Sequence, residues 1–331
     1  MQTVILENKP KLIGTACIVG KKENEGNLSK FYDAVILDGR YGRKSWEEAE
    51  SEMQKSAAYM LLNKTNTKPD DISFLFGGDL LNQCMGTSFG ITKLNIPFFG
   101  IYGACSTFCE GLILSSICVD GRYGRKVMCT SSSHFCSSER QFRFPLEYGG
   151  QRAPAAQWTV TGAGAALVAD EGSDLCITAV TPGKVIDMGI TDAANMGAAM
   201  APAAVDTITT HFNDRKLSGD YFDMVVTGDL GKIGYDIAKE QIVKNGIDIR
   251  NRYYDCGVMI YKEEQDAHAG GSGCGCCASV FSGYIYNMLK KGEIDRVLLV
   301  ATGALMSTTS AFQGNTIPGI AHAVAIERVK K

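Results

Sequence analysis

The sequence predicts an α/β protein made of two duplicated βαβαβ halves, and three observations predict it. Short apolar runs alternate with longer segments of helical pattern, the order that gives sheets covered by helices. The 331 residues exceed what one ordinary core organises, so two units are expected. The second half repeats motifs of the first in similar order.

In chain order, strands are expected at Leu12–Val19, Ile72–Phe76, Ile96–Ile101, Val127–Ser131 and Gly164–Ala169, and helices at Trp46–Asn63 and Cys105–Val119. Lys68-Pro69 breaks the chain before Asp70-Asp71 and the second strand. The α/β pattern implies parallel strands. Segment Ser137–Gln157 is polar and aromatic with two prolines, and a loop of that length is expected to be functional or mobile. The pattern then restarts. Phe76-Gly77-Gly78-Asp79-Leu80 matches Val226-Thr227-Gly228-Asp229-Leu230, 150 positions apart. Strand Val127–Cys129 matches Val297–Leu299, each after a helix, and the small-residue strand Thr161–Val168 matches Ile320–Ile326 in kind. The expected units are 1–171, with Cys105 at a helix N-terminus, and 172–331.

Composition narrows the function class. Apolar residues make up 45% and charged residues 21%, an ordinary globular balance. Net charge is −3 with both signs interspersed, so neither a nucleic-acid stripe nor a polybasic lipid anchor is present. The 12 cysteines fall in predicted strands and helices rather than in a loop framework, as expected of a protein kept in a reducing compartment. Met1–Ile13 contains Glu7, Lys9 and Lys11 and lacks an apolar signal core, and no apolar run is long enough to span a bilayer. Synthesis in the cytoplasm without a signal peptide is expected.

The most informative residue is Cys105. It follows the apolar run Ile96–Ile101 and the tight Gly103-Ala104 turn, and Ser106-Thr107 open a helix. A thiol there faces unsatisfied backbone N–H groups and the positive end of the helix dipole, which predicts a lowered pKa and a nucleophile or an anion-facing pocket residue. The bland alternative is a buried structural cysteine.

Gly103-Ala104-Cys105-Ser106 at a helix start, the Asp-bearing strand ends and the closing strand Thr161–Ala166 resemble the thiolase and ketoacyl synthase superfamily over nearly the whole chain. The resemblance implies a thiolase-like five-layer α-β-α-β-α fold and a homodimer joined across the first half. The stretches Leu12–Ala16, Gly189–Pro202 and His268–Cys276 are similar to a sporulation family of that fold found in spore-forming Firmicutes. That similarity implies binding of dipicolinic acid (pyridine-2,6-dicarboxylate) during its uptake into the forming spore. It also implies integral membrane partners encoded with the family and a position peripheral to the spore inner membrane.

In condensing enzymes of the superfamily the cysteine at the helix start is acylated, and a His turn and an Asn turn from the second half complete the site. Cys105 matches the nucleophile. The His turn here reads Thr227-Gly228-Asp229-Leu230-Gly231, and the Asn turn reads Gly270-Gly271-Ser272-Gly273. His268 stands near a second thiolase-like His, one residue short of the usual spacing. Condensation needs neutral donors aimed at a developing enolate, and an Asp repels one. The departures favour a binding protein. Expected pocket residues are Cys105 (packing or weak donation), His134 and His268 (carboxylate recognition) and Asp229 (orientation). Arg140, Arg143 and Arg152, interleaved with Phe142, Phe144 and Tyr148, form a candidate lid for a flat dianion, with a solvated interface loop as the alternative. His211 and His322 read as structural. No cofactor is expected, although calcium could accompany the ligand.

Two other functions stay open. One is a cysteine-dependent acyltransferase using Cys105 with His268 as base and a CoA thioester. The other is a structural subunit with a vestigial pocket. Gly273-Cys274-Gly275-Cys276-Cys277-Ala278 reads as small residues that let one helix pack closely on its pseudo-symmetric partner, and it lacks the paired spacing of a zinc site.

Overall fold

The computed structural model describes residues 1–142 and 152–329. Strands and helices alternate in two rounds, and the sheet order repeats. In the first round Phe98–Gly100, Phe74–Gly78, Lys126–Ser133, Gly162–Ala169 and Lys11–Gly20 lie side by side in that order. In the second, Tyr253–Asp255, Met224–Thr227, Arg296–Ala304, Gly319–Arg328 and Leu175–Thr181 follow the same order. The two five-stranded arrays meet where Lys11 pairs with Cys176, and Val4–Ile5 and Ala34–Ile36 add short flanking strands.

Parallel pairing holds only in part. Phe74–Gly78 runs parallel to both its neighbours, but Gly162–Ala169 pairs antiparallel with Lys126–Ser133 and with Lys11–Gly20. The second array repeats this: Met224–Thr227 is parallel to its neighbours and Gly319–Arg328 is antiparallel to both of its own. In the second array the link from Arg296–Ala304 to Gly319–Arg328 holds only the five-residue helix Thr308–Phe312, not a long covering helix of the kind that joins parallel strands.

Three apolar clusters separate five layers. Helix Trp46–Lys64, capped by the Ser45 hydroxyl accepting the Glu48 N–H at 3.2 Å, buries Ala49, Met53, Ala57 and Leu61 on the first sheet. Helices Met196–Arg215 and Gly231–Lys244 cover the outer face of the second. Between the sheets lie Thr107–Asp120 and the run Cys274–Lys291, which passes through a π turn at Phe281–Ile285. These central helices are sheathed on both faces, which explains why Thr107–Asp120 carries no polar stripe.

The small residues near 275 serve a closer contact than expected. A Cβ on Gly275 would stand 2.4 Å from the Gly162 carbonyl, and one on Gly164 would stand 2.6 Å from the Ala278 carbonyl. The glycines therefore seat this helix against the closing strand of the first half rather than against its pseudo-symmetric helix. Among the described residues no helix is long and apolar enough to cross a membrane.

Candidate functional site

The cysteine turn is built by backbone strain and short bonds. Ala104 adopts φ of 50°, a left-handed conformation that is uncommon outside glycine. The Ser106 hydroxyl donates to the Gly103 carbonyl at 2.6 Å, and the Thr107 hydroxyl donates to the Ala104 carbonyl at 2.7 Å. Helix Thr107–Asp120 starts two residues after Cys105, so the thiol precedes the N-cap.

Asp229 arrives from the second half, after strand Met224–Thr227. Its carboxylate accepts the Gly273 N–H at 2.9 Å and the Thr302 hydroxyl at 2.7 Å, and it hydrogen-bonds the Cys105 thiol. Gln157 fixes the Asp229 main chain by donating Nε2 to its carbonyl at 2.6 Å and to that of Gly271 at 2.9 Å. Asp255 holds the same turn, accepting the Leu230 and Gly231 N–H groups at 2.8 and 3.1 Å.

This neighbourhood corrects the expected chemistry of Cys105. Burial first, and then the Asp229 carboxylate, push the thiol well above its ordinary value, and the nearby Gly273 N–H offsets little of that. The helix N-terminus does not prevail over burial and the hydrogen-bonded carboxylate. At neutral pH Cys105 is a thiol, not a thiolate. Burial likewise raises Asp229 from 3.8 to about 6 and Asp255 to about 7.

Cys105 and Gly273 open onto a cavity of about 480 Å³ between the halves. Tyr102, Phe142 and Met306 give it apolar surface, and Asn82, Gln141, Ser307 and Thr308 supply neutral polar groups. Among the described residues its only charged lining side chains are Glu139 and Arg152. Two buried polar atoms on its wall, Ser138 Oγ and Gln157 Oε1, have no hydrogen-bond partner among the described residues.

The remaining candidates lie apart. His134 is buried, with Nε2 donating to the Gly39 carbonyl at 2.7 Å and Nδ1 accepting the Cys136 N–H at 3.1 Å. Nδ1 caps helix Phe135–Glu139 and Nε2 is held by Gly39, burial lowers its pKa so that it is neutral, and it lies off the cavity wall. His268 sits at φ of 49° with Nε2 3.6 Å from the Asp266 carboxylate, also off the wall. Arg140 turns outward, 2.7 Å from Glu47 and over the Trp46 ring. Arg152 and Phe142 do face the cavity, whereas Arg143, Phe144 and Tyr148 lie outside the described residues. His211 bonds the Thr181 hydroxyl at 2.8 Å, and His322 accepts the Gly183 N–H at 3.0 Å.

Glu139, Ser138, Gln157 and Thr302 were not foreseen. Segment Ser137–Gln157 was expected to be a loop, but its start forms helix Phe135–Glu139. No spacing marks them as one set, because they reach Asp229 or the cavity from three places in the chain: Ser138 and Glu139 on the short helix, Gln157 just before Trp158–Thr159, and Thr302 on strand Arg296–Ala304.

A sheet order repeated in both halves, two sheathed central helices and a cysteine turn facing an Asp turn define a thiolase-fold protein without a condensing enzyme's second-half histidine. Solved structures share the fold. The 3-oxoacyl-[acyl-carrier-protein] synthase III of Aquifex aeolicus is 14% identical, over 96% of this chain and 99% of that one, with a TM-score of 0.61. OleA of Xanthomonas campestris is 14% identical over 98% and 99%, with a TM-score of 0.62. Residues 1–327 match the family described as stage V sporulation protein AD (SpoVAD). The stage V sporulation protein AD of Bacillus subtilis strain 168 is 42% identical over 327 residues, 99% of this chain and 97% of that protein. The chain belongs to the stage V sporulation protein AD family.

Proposed function

We propose that this sporulation protein binds dipicolinic acid in the cavity over Cys105 and assists its uptake into the developing spore together with integral membrane SpoVA-type proteins. The observation that carries this reading is the cavity wall. One guanidinium, Arg152, with a side chain 9% exposed, lines the same cavity as Ser138 Oγ and Gln157 Oε1, two buried polar atoms without a hydrogen-bond partner among the described residues. Buried polar atoms are normally satisfied, so such a pair marks a place for a polar ligand or its water. A flat aromatic dicarboxylate offers oxygens to the guanidinium and to the hydroxyl, and ring faces to Tyr102 and Phe142.

Asp229 weighs against condensation. A buried carboxylate on the nucleophile's sulfur neither activates it nor stabilises an enolate. The cysteine-dependent acyltransferase with a CoA thioester is therefore the second reading, favoured only by the position of Cys105. Among the described residues no group of three or more His, Cys, Asp or Glu side chains is arranged to hold a metal. Calcium in this reading comes with the ligand, held by the ligand's own oxygens. Docking would be peripheral to the spore inner membrane, with the protein as a homodimer.

Calorimetric titration with dipicolinic acid, with and without calcium, beside a Cys105→Ala variant, tests this. Saturable heat that weakens in the variant supports the carrier reading. Absence of heat under every condition, with transfer of an acyl group from acyl-CoA to Cys105, supports the acyltransferase. Absence of both leaves the structural subunit.

A further inference from the structure

Two buried carboxylates lie directly behind the cavity wall. Glu50 comes from helix Trp46–Lys64 and Asp79 from the turn after strand Phe74–Gly78. Each is bonded to a segment of the wall. The Ser137 hydroxyl donates to Glu50 Oε2 at 2.6 Å, and Ser138 and Glu139 next to it line the cavity. The Leu81 N–H donates to Asp79 Oδ1 at 2.8 Å, and Leu80 and Asn82 on either side of it line the cavity. The Thr87 N–H and hydroxyl donate to Asp79 Oδ2 at 2.7 and 2.6 Å, and the Ser132 hydroxyl donates to Glu50 Oε1 at 3.1 Å. Among the described residues every hydrogen bond to either carboxylate comes from a neutral group. The other titratable groups facing the pair are Glu47, Cys84, Tyr102 and Cys274, none of which bears positive charge. Arg140 and His134 face Glu47 instead.

The hydrogens around Glu50 leave a place for a proton. Ser137 has one hydroxyl hydrogen and two acceptors in reach, Glu50 Oε2 at 2.6 Å and the His134 carbonyl at 3.1 Å. A charged Glu50 leaves one of the two without it. A protonated Glu50 completes the chain, donating to Ser137 Oγ while Ser137 donates to His134. Burial first, and then the Asp79 charge, raise Glu50 from 4.5 to about 8, so it holds the proton at neutral pH and loses it as the pH rises through about 8. We propose that the cavity takes up its anion together with a proton, and that Glu50, bonded to Ser137 behind the wall, holds that proton. This rests on the reading of the cavity as a carboxylate site. Two negative charges behind the wall oppose an anion in front of it, and protonating Glu50 removes one of them. Ligand and proton therefore favour each other's binding by the same factor. The proton comes from water and returns to it on release, and no covalent bond of the ligand changes.

The test is calorimetric titration with pyridine-2,6-dicarboxylate in two buffers of different ionisation enthalpy, the difference in heat counting the protons taken up. With an anion that favours the protonated carboxyl about tenfold, wild type is expected to take up roughly half a proton per ligand at about pH 8. On the same footing it should bind about fivefold more weakly at about pH 9 than at about pH 7. Glu50→Gln, whose amide donates to Ser137 Oγ as the protonated acid does, is expected to lose that uptake and to hold its affinity over the same range. Where this variant fails to give a cooperative melt, the infrared difference spectrum of wild type with isotope-labelled ligand takes its place. Binding at about pH 8 should then add protonated-carboxyl absorption that belongs to the protein, and a spectrum without it overturns the proposal. Binding by wild type without proton uptake, or uptake that persists in folded Glu50→Gln, likewise overturns it and leaves the carrier reading standing. If wild type binds the dicarboxylate at no pH, both fall.

Discussion

Cys105 and Asp229 meet in one buried hydrogen bond that sets the chemistry of the thiol. The thiol and the carboxylate are both buried and hydrogen-bonded to each other: the carboxylate favours the protonated thiol, while burial raises Asp229 against the opposing pull of the thiol's hydrogen bond. Cys105 is therefore expected to resist iodoacetamide at about pH 8, where an ordinary thiol reacts readily. Asp229→Asn should speed its alkylation several-fold, read as modification of the peptide holding Cys105. Faster labelling of wild-type Cys105 than of free glutathione would contradict the assignment. Stability gives a second readout. The folded state holds the Asp229 proton up to about pH 6, against 3.8 for an ordinary aspartate. The stabilisation linked to it is full below about pH 4 and lost as the pH rises through about 6. Wild type should lose about 3 kcal/mol relative to Asp229→Asn between those limits, measured by denaturant unfolding across pH. A difference independent of pH would mean that Asp229 titrates normally.

Among the elements, the helix beginning at Cys274 and the short helix Phe135–Glu139 decide how the two halves meet. Gly275 has no room for a methyl group, because the Gly162 carbonyl and the Ser133 hydroxyl stand 2.4 and 2.6 Å from its would-be Cβ. Gly275→Ala should cost about 1–3 kcal/mol, the range of overpacking, and lower the melting temperature. An unchanged melt would show that the strand can retreat. His134→Ala removes the cap of helix Phe135–Glu139 and the bond to Gly39. It is expected to cost about 1 kcal/mol in stability. It should leave dipicolinate affinity within a few-fold of wild type. Complete loss of binding with an intact melt would return His134 to the ligand site.

At the scale of the molecule, the first sheet ends in a short strand with an open edge. Among the described residues Phe98–Gly100 pairs only with Phe74–Gly78, and Phe99 on it is 52% exposed. An open edge carrying exposed aromatic surface invites pairing with a second copy across a two-fold axis. Tyr102, two residues beyond this strand, lines the cavity, so such pairing would cover one rim of the site. Phe99→Glu is expected to turn a dimer into a monomer in sedimentation equilibrium. A monomeric wild type would remove the homodimer from the proposal.

Local pattern carried the architecture. Apolar runs at Leu12–Val19 and Val127–Ser131 and the Asp79/Asp229 repeat were enough to place the strands and reveal the duplication, because strand burial and tight turns write their needs into neighbouring residues. The same local logic located Cys105 and Asp229, since each ends a strand at the edge that faces the crevice. Strand direction in the closing strands, the raised pKa of Cys105 and the removal of His134, His268 and Arg140 from the cavity were decided only by tertiary contacts. A pKa depends on the group in contact, here Asp229, which lies behind the cavity wall and 124 residues away in sequence. Arg140 and Arg152 are alike in sequence setting, yet one meets Glu47 on the outside and the other Glu139 within. That choice follows from packing on Trp46 or on Trp158, and packing partners distant in the chain leave no periodic mark on it.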